Sequence, residues 1–338
     1  MKLRKAISIG ISAIAVIIVA LAIVNSADVA QENKIRVAFF PNVGHVVPIV
    51  GIENEIFSSE LGDETLIEIK LFDSGPPVVE SLFANSIDIA YVGPGPAINA
   101  FLKSDHNSVK ILAGAASGGA SFIVHPDSTI ESVNDFPGKR IAAPQIGNTQ
   151  DVSLRYFLSE NGLKAAEKGG SVVVLNIANP DIYTLFTKGD IDAAWVPEHW
   201  ATILVNELGG TRLFYEEDLW PENQFASVLL IGRVDYIDQH PQVIKKWLSS
   251  HVKTVNWINA NPDDTKLIFN QFLEKTYGQT LSDDVVSESL DNLEITYDPI
   301  RKSIIIFAER ANSLGYLGRD GYNIDEIFYE VELNNGKA

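Results

Sequence analysis

The 338 residues contain no cysteine. That single absence removes disulfides, thiolate nucleophiles and Cys-ligated zinc together, and it leaves the redox compartment unread. Long basic runs are missing as well: 26 basic residues stand against 44 acidic ones, for a formal charge of -18. A nucleic-acid partner needs clustered Lys and Arg for its phosphates, so none is expected. The acidic excess speaks for solubility rather than for a fold. Catalytic signatures are equally scarce. There is no G-x-S-x-G elbow, no H-E-x-x-H pair and no P-loop, and the six histidines (His45, His106, His125, His199, His240, His251) are scattered without metal-ligand spacing. Glu198 and His199 make the best acid–base pair, but neighbours on one strand or helix point apart and do not readily share a proton. An enzyme is therefore the least favoured class, and neither metal nor cofactor is expected.

What is present fits a globular chain of about two domains, with 46% hydrophobic residues to build the cores. Lys2, Arg4 and Lys5 precede Ala6 to Val24, a run with no charged residue. The pattern is that of an exported protein, whether the run is a cleaved signal peptide or a retained anchor long enough to span a bilayer. Val24-Asn25-Ser26 offers a passable cleavage site, and no cysteine is available for lipid attachment. Beyond a polar connector, short apolar runs alternate with helix-like segments: Ile35 to Phe40 then Val46 to Ile56, Leu66 to Phe72 then Val78 to Phe83, Ile87 to Val92 then Ala97 to Phe101. This is the α/β pattern, and the C-terminal part reads as mostly helical.

One internal echo organises the chain. Ile87-Asp-Ile-Ala-Tyr-Val92 recurs as Ile191-Asp-Ala-Ala-Trp-Val196, each a few residues after a Leu-Phe pair and each running into proline. The repeat implies two similar α/β lobes. Residues 1–33 are the export segment and linker, 34–119 and 226–338 form lobe one with the C-terminal helices, and 120–225 form lobe two. Two crossovers between the lobes make a hinge.

Three strand-to-helix corners look alike: Phe40-Pro-Asn-Val-Gly-His45, Gly93-Pro-Gly-Pro96 and Gly147-Asn-Thr-Gln150. In doubly wound sheets such corners gather at the carboxyl ends of the strands, where ligands bind. Helix starts there offer unpaired N–H groups and partial positive charge, which suits an anion. The plainer readings are a tight turn with proline at a first helical position for Gly93–Pro96, and an N-cap with Asp151 as its capping-box partner for Asn148.

Asp88 to Ala100 (DIAYVGPGPAINA), Pro144 to Arg155 (PQIGNTQDVSLR) and Trp195 to Ala201 (WVPEHWA), with Phe39 to His45 and Ile295 to Pro299, resemble the signatures of ABC-transporter solute-binding proteins for aliphatic sulfonates, taurine and nitrate. The resemblance spans about residues 35–330. It implies the two-lobed type II periplasmic-binding fold, each lobe a doubly wound sheet, closing on a small organic anion, most favourably an aliphatic sulfonate or taurine. It also implies ABC permease subunits as partners, while the N-terminal segment itself places the protein outside the cytoplasm and, if retained, on the membrane. Nitrate, a thiamine precursor or a sensory role are its alternatives; relatives that make the thiamine pyrimidine rely on a cysteine-rich motif that this chain lacks.

Carried over residue by residue, the family pattern lines the cleft with Asn42, Gly44, His45, Gly93, Gly95, Ser117, Gly118, Asn148, Thr149, Gln150, Trp195 and Glu198. His45 is a cation or a neutral polar contact. Glu198 either receives a ligand amine or caps the next helix. Trp195, Trp200, Phe40 and Tyr91 pack on an alkyl stem or belong to the core, and Arg155 falls on the surface or between the lobes. Two departures stand out, the missing lipid-attachment cysteine and the strongly acidic charge; neither touches these motifs.

Overall fold

The computed structural model describes residues 34–103, 108–318 and 323–330; the predicted export segment lies outside them. Among the described residues eleven strands, numbered in chain order, divide into two sheets. Sheet one takes β1 (Lys34–Phe39), β2 (Leu66–Leu71), β3 (Ile89–Val92), β4 (Val109–Gly118), β10 (Ala226–Arg233) and β11 (Leu293–Ile295), in the order β11-β4-β10-β3-β1-β2. Sheet two takes β5 (Ala120–Val124), β6 (Arg140–Ala143), β7 (Val173–Asn176), β8 (Ala193–Pro197) and β9 (Thr211–Tyr215), in the order β7-β6-β8-β5-β9. Each sheet is mixed and carries a buried apolar cluster on both faces, as helices packed on either side of a sheet require.

The sequence echo becomes a structural one. β3 lies between parallel β1 and antiparallel β10, and β8 lies between parallel β6 and antiparallel β5. The shared aspartate does the same work in both copies. Asp88 Oδ2 accepts the N–H of Arg36 at 2.8 Å, and Asp192 Oδ2 accepts that of Arg140 at 2.9 Å. Arg36 opens its lobe's central parallel pairing on β1 and Arg140 does so on β6, so each carboxylate pins the register at the foot of the strand that leads to a cleft corner.

The chain passes from β4 to β5 through Gly118 and Gly119, both in the left-handed region that glycine tolerates (φ 73° and 69°). It returns through Phe225 into β10, and Gly118 N donates to Phe225 O at 2.9 Å, so the two crossovers run side by side. The C-terminal part is helical as expected (Val234–Gln239, Pro241–Ala260, Pro262–Tyr277, Asp283–Asp291, Arg301–Ser313). Among the described residues no helix is long and apolar enough to cross a membrane. Two strands were not foreseen: β9, which lacks alternating burial, and β11, which has only three residues. The segment read as one helix from Val46 breaks at Glu55, whose φ of 56° lies in the left-handed region.

Candidate functional site

The cleft lies between the sheets, at the carboxyl ends of their parallel strands. It encloses about 530 Å³ with its open mouth included. Lobe one lines it with Phe40, Asn42, Gly44, His45, Asp73 and Gly93, and with Ser227, Val228 and Leu293; lobe two with Asn148, Thr149, Gln150, Asn179, Pro197 and Glu198; and Gly119 of the crossover completes it.

The Gly147–Gln150 corner explains why the sequence places so many polar groups at one helix start. Asn148, extended at φ -72° and ψ 165°, is the N-cap of the Thr149–Glu160 helix, and its Oδ1 accepts Thr149 N at 2.8 Å. Its carbonyl is thus occupied and its amide N–H₂ remains for the cleft. The N–H groups of Gln150 and Asp151 follow in the first turn, where no earlier turn can accept them. Asp151 is not the capping-box partner of Asn148. Its carboxylate is fully buried, reaches back to Gly147 N at 2.9 Å, and so holds the turn from beneath.

From the other side, lobe one meets this corner at van der Waals distance. Gly95 N donates to Thr149 Oγ1 at 3.3 Å, and Ser74 Oγ donates to Gln145 Oε1 at 2.8 Å. A Cβ added at Gly93 would stand 2.3 Å from Thr149 Oγ1. Gly93 lines the cleft, but both glycines of the Gly-Pro-Gly-Pro corner serve first to admit lobe two. Gly95 faces Thr149 and lies outside the cleft lining. His45 is buried, its ring 4.4 Å from that of Phe40. Phe40 N donates to His45 Nδ1 at 3.3 Å, which leaves the proton on Nε2. Burial lowers the imidazole to about 3, so it is a neutral contact and not a cation.

Glu198 lines the cleft with a carboxylate already occupied. Oε2 accepts Thr202 N at 3.0 Å, in the first turn of the Trp200–Asn206 helix, and Ser289 Oγ at 3.4 Å. Oε1 accepts Asn292 Nδ2 at 2.9 Å and Arg212 Nη2 at 3.3 Å. Burial raises its pKa, opposed by Arg212. It caps a helix and ties lobe two to the lobe-one segment that holds Ser289 and Asn292, and no lone pair is left for a ligand amine.

Three other expected positions sit elsewhere. Trp195 is buried in the core on one of the two apolar faces of β8, 1% exposed, with Nε1 donating to Glu216 Oε2 at 2.8 Å. Ser117 pairs with Ala226 in sheet one, and Gly118 shapes the crossover; neither lines the cleft. Tyr91 is core, its hydroxyl 3.0 Å from His251 Nδ1. Arg155, its side chain 11% exposed, bonds Asp151 Oδ1 at 2.7 Å and Asn176 Oδ1 at 2.9 Å in lobe two and borders an open cavity that Leu314, Gly315 and Tyr316 of lobe one also line.

Asp73, Asn179 and Ser227 were missed. Asn179 Oδ1 and Ser227 Oγ are buried atoms without a hydrogen-bond partner, a costly state in the absence of a ligand or water. The signals of Asp73 and Asn179 were legible: Asp73-Ser-Gly-Pro76 and Asn179-Pro180 are strand-to-helix corners of the same kind. No Lys or Arg lines the cleft among the described residues. The wall thus offers neutral donors at helix starts, and Asp73 with Asn179 Oδ1 as acceptors.

Comparison with known proteins agrees with this architecture. The chain is 26% identical over 258 residues to a binding protein of Brucella abortus, covering 75% of this chain and 76% of the relative. It is 29% identical over 208 residues to the taurine-binding periplasmic protein of Escherichia coli, covering 61% of each. Among solved structures, the alkanesulfonate-binding protein of Xanthomonas axonopodis pv. citri bound to MOPS superposes with a TM-score of 0.71 at 17% identity, covering 84% of this chain and 92% of that one. This likeness shows the two-lobed periplasmic-binding fold. The NMT1-like family model matches residues 28–271, and the chain belongs to that family.

Proposed function

We propose that this protein is the extracytoplasmic solute-binding component of an ABC importer and that it closes on a small, singly charged organic anion with a hydrogen-bond-donating end, an aminoalkanesulfonate such as taurine. Lobe one (34–119 and 226–338) and lobe two (120–225) each supply part of the site. The permease and ATPase are its partners, and residues 1–33 deliver it to the outer face of the membrane as a signal or an anchor. The observation that carries the reading is the charge of the cleft wall: helix-start donors and Asn148, Thr149 and Gln150, with no lining Lys or Arg among the described residues. Helix starts supply about half a charge each, enough together for one negative charge. Asp73 and the unpartnered Asn179 Oδ1 take the place first given to Glu198 as acceptors for an ammonium. The names of the E. coli and Xanthomonas relatives point to the same ligand class.

Calorimetric titration with taurine tests the reading. A hydrogen bond to a charged group contributes roughly 1.5 to 3 kcal/mol, so Thr149→Val is expected to weaken binding about 10- to 100-fold. Asp73→Asn is expected to remove any preference for taurine over ethanesulfonate. Unchanged affinity in Thr149→Val together with a lowered melting temperature would assign Thr149 to structure alone and overturn the site.

A further inference from the structure

The Arg301–Ser313 helix of lobe one is capped by Leu314, and Gly315 follows in the left-handed region at φ 77°, which glycine adopts without side-chain strain. Gly315 N donates to Asn312 O at 2.9 Å and Tyr316 N to Ala311 O at 3.0 Å, the paired bonds that fold a chain back over a helix end. This turn presents Tyr316 to lobe two. Its ring packs on the lobe-one core, and its hydroxyl donates to Asp151 Oδ2 at 2.7 Å. That same oxygen accepts Gly147 N at 2.9 Å. The other, Oδ1, accepts Arg155 Nε at 2.7 Å and Asn176 Nδ2 at 2.8 Å. Three of the four donors belong to lobe two and stand whether or not the lobes touch. Only the fourth crosses the gap.

We propose that Tyr316 is a positioning residue for the ligand corner: by donating to the carboxylate oxygen that also holds Gly147, its hydroxyl couples closure of the lobes to the shape of the Gly147–Thr149 turn. The inference rests on the clamp reading above and adds to it a specific inter-lobe contact outside the cleft. On closing, the buried carboxylate gains a charge-assisted bond on the side that faces the turn, and such bonds are about twice as strong as neutral ones. On opening, Asp151 keeps three donors, so the fold survives while the turn loses its brace. Tyr316 touches no ligand. It acts on the cleft only through Asp151 and Gly147.

The test is Tyr316→Phe in the full-length protein, which keeps the ring and removes the donor. Taurine is expected to dissociate about tenfold faster, with the association rate unchanged. Amide exchange at Gly147 should rise in the taurine-saturated protein, where the lobes are closed, while exchange in the Pro241–Ala260 helix and the ligand-free melting temperature stay at wild-type values. Gly315→Ala, which strains the turn that aims the ring, should act in the same direction. Wild-type dissociation and wild-type exchange at Gly147 in Tyr316→Phe would overturn the proposal. So would a rise in exchange throughout both lobes with a fallen melting temperature, since that marks a merely structural residue. Failure of the wild-type protein to bind taurine would sink the ligand assignment instead; the same dissociation and exchange comparisons made with saturating ethanesulfonate would still decide the coupling.

Discussion

Gly93→Ala is expected to cost on the order of 100-fold in ligand affinity while leaving each lobe folded. The new methyl would lie 2.3 Å from Thr149 Oγ1 and 3.4 Å from Ser227 O. Thr149 is 2% exposed and its hydroxyl already accepts Gly95 N, so turning it away would break that bond. Relief comes instead from parting the lobes, because Gly93 belongs to lobe one and Thr149 to lobe two. Gly75→Ala is the control. Its Cβ would stand 2.0 Å from Pro96 Cγ, a clash inside lobe one that parting cannot relieve, so it should lower the melting temperature. Calorimetry and thermal unfolding of the two variants separate the cases. Affinity in Gly93→Ala within a few-fold of wild type would show that the corner is not closed around ligand in solution.

A singly charged sulfonate should bind in preference to a phosphonate of the same shape, by roughly 100-fold at pH 8. A phosphonate acquires its second charge near neutral pH, and desolvating that charge without a cation costs a few kcal/mol. The described cleft wall has no Lys or Arg. His45 does not change this, because burial holds its imidazole down to about 3; it is neutral at pH 6 and at pH 8. The widening of the preference between those values therefore reports the ligand's proton and not the protein's. The overall charge of -18 adds little, since exposed charges beyond about 8 Å are screened at physiological salt. Matched titrations of ethanesulfonate against ethylphosphonate, and of taurine against its aminophosphonate analogue, give the result directly. Equal or tighter phosphonate binding at pH 8 would mean that a cation reaches the cleft.

Much of the fold was legible because it is local. Alternating apolar runs, the repeated Ile-Asp motif and three polar corners are properties of short windows, and the shared Asp88 and Asp192 make the same backbone bond in each sheet. The cleft was legible where a corner carries its own donors, as at Asn148 to Gln150. It was not legible where a role depends on partners far along the chain. Glu198 is occupied by Ser289 and Asn292, about ninety residues on, and nothing near it in the sequence announces them. Trp195 lies two residues short of the carboxyl end of β8, a strand buried on both faces, so only Pro197 at the strand's end, on the same face, reaches the cleft. The fixed partners of Arg155 beyond its own helix were not legible, because Asn176 of β7 and Glu167 reach it only once lobe two is assembled.

Small-angle scattering with and without saturating taurine tests the clamp itself, with occupancy verified by calorimetry on the same sample. The lobes are joined by two adjacent crossovers through Gly118–Gly119 and Phe225, and each supplies part of the site, so ligand is expected to close them and to reduce the radius of gyration. In Gly93→Ala the reduction should be absent. An unchanged radius of gyration in the saturated wild-type protein would contradict the account.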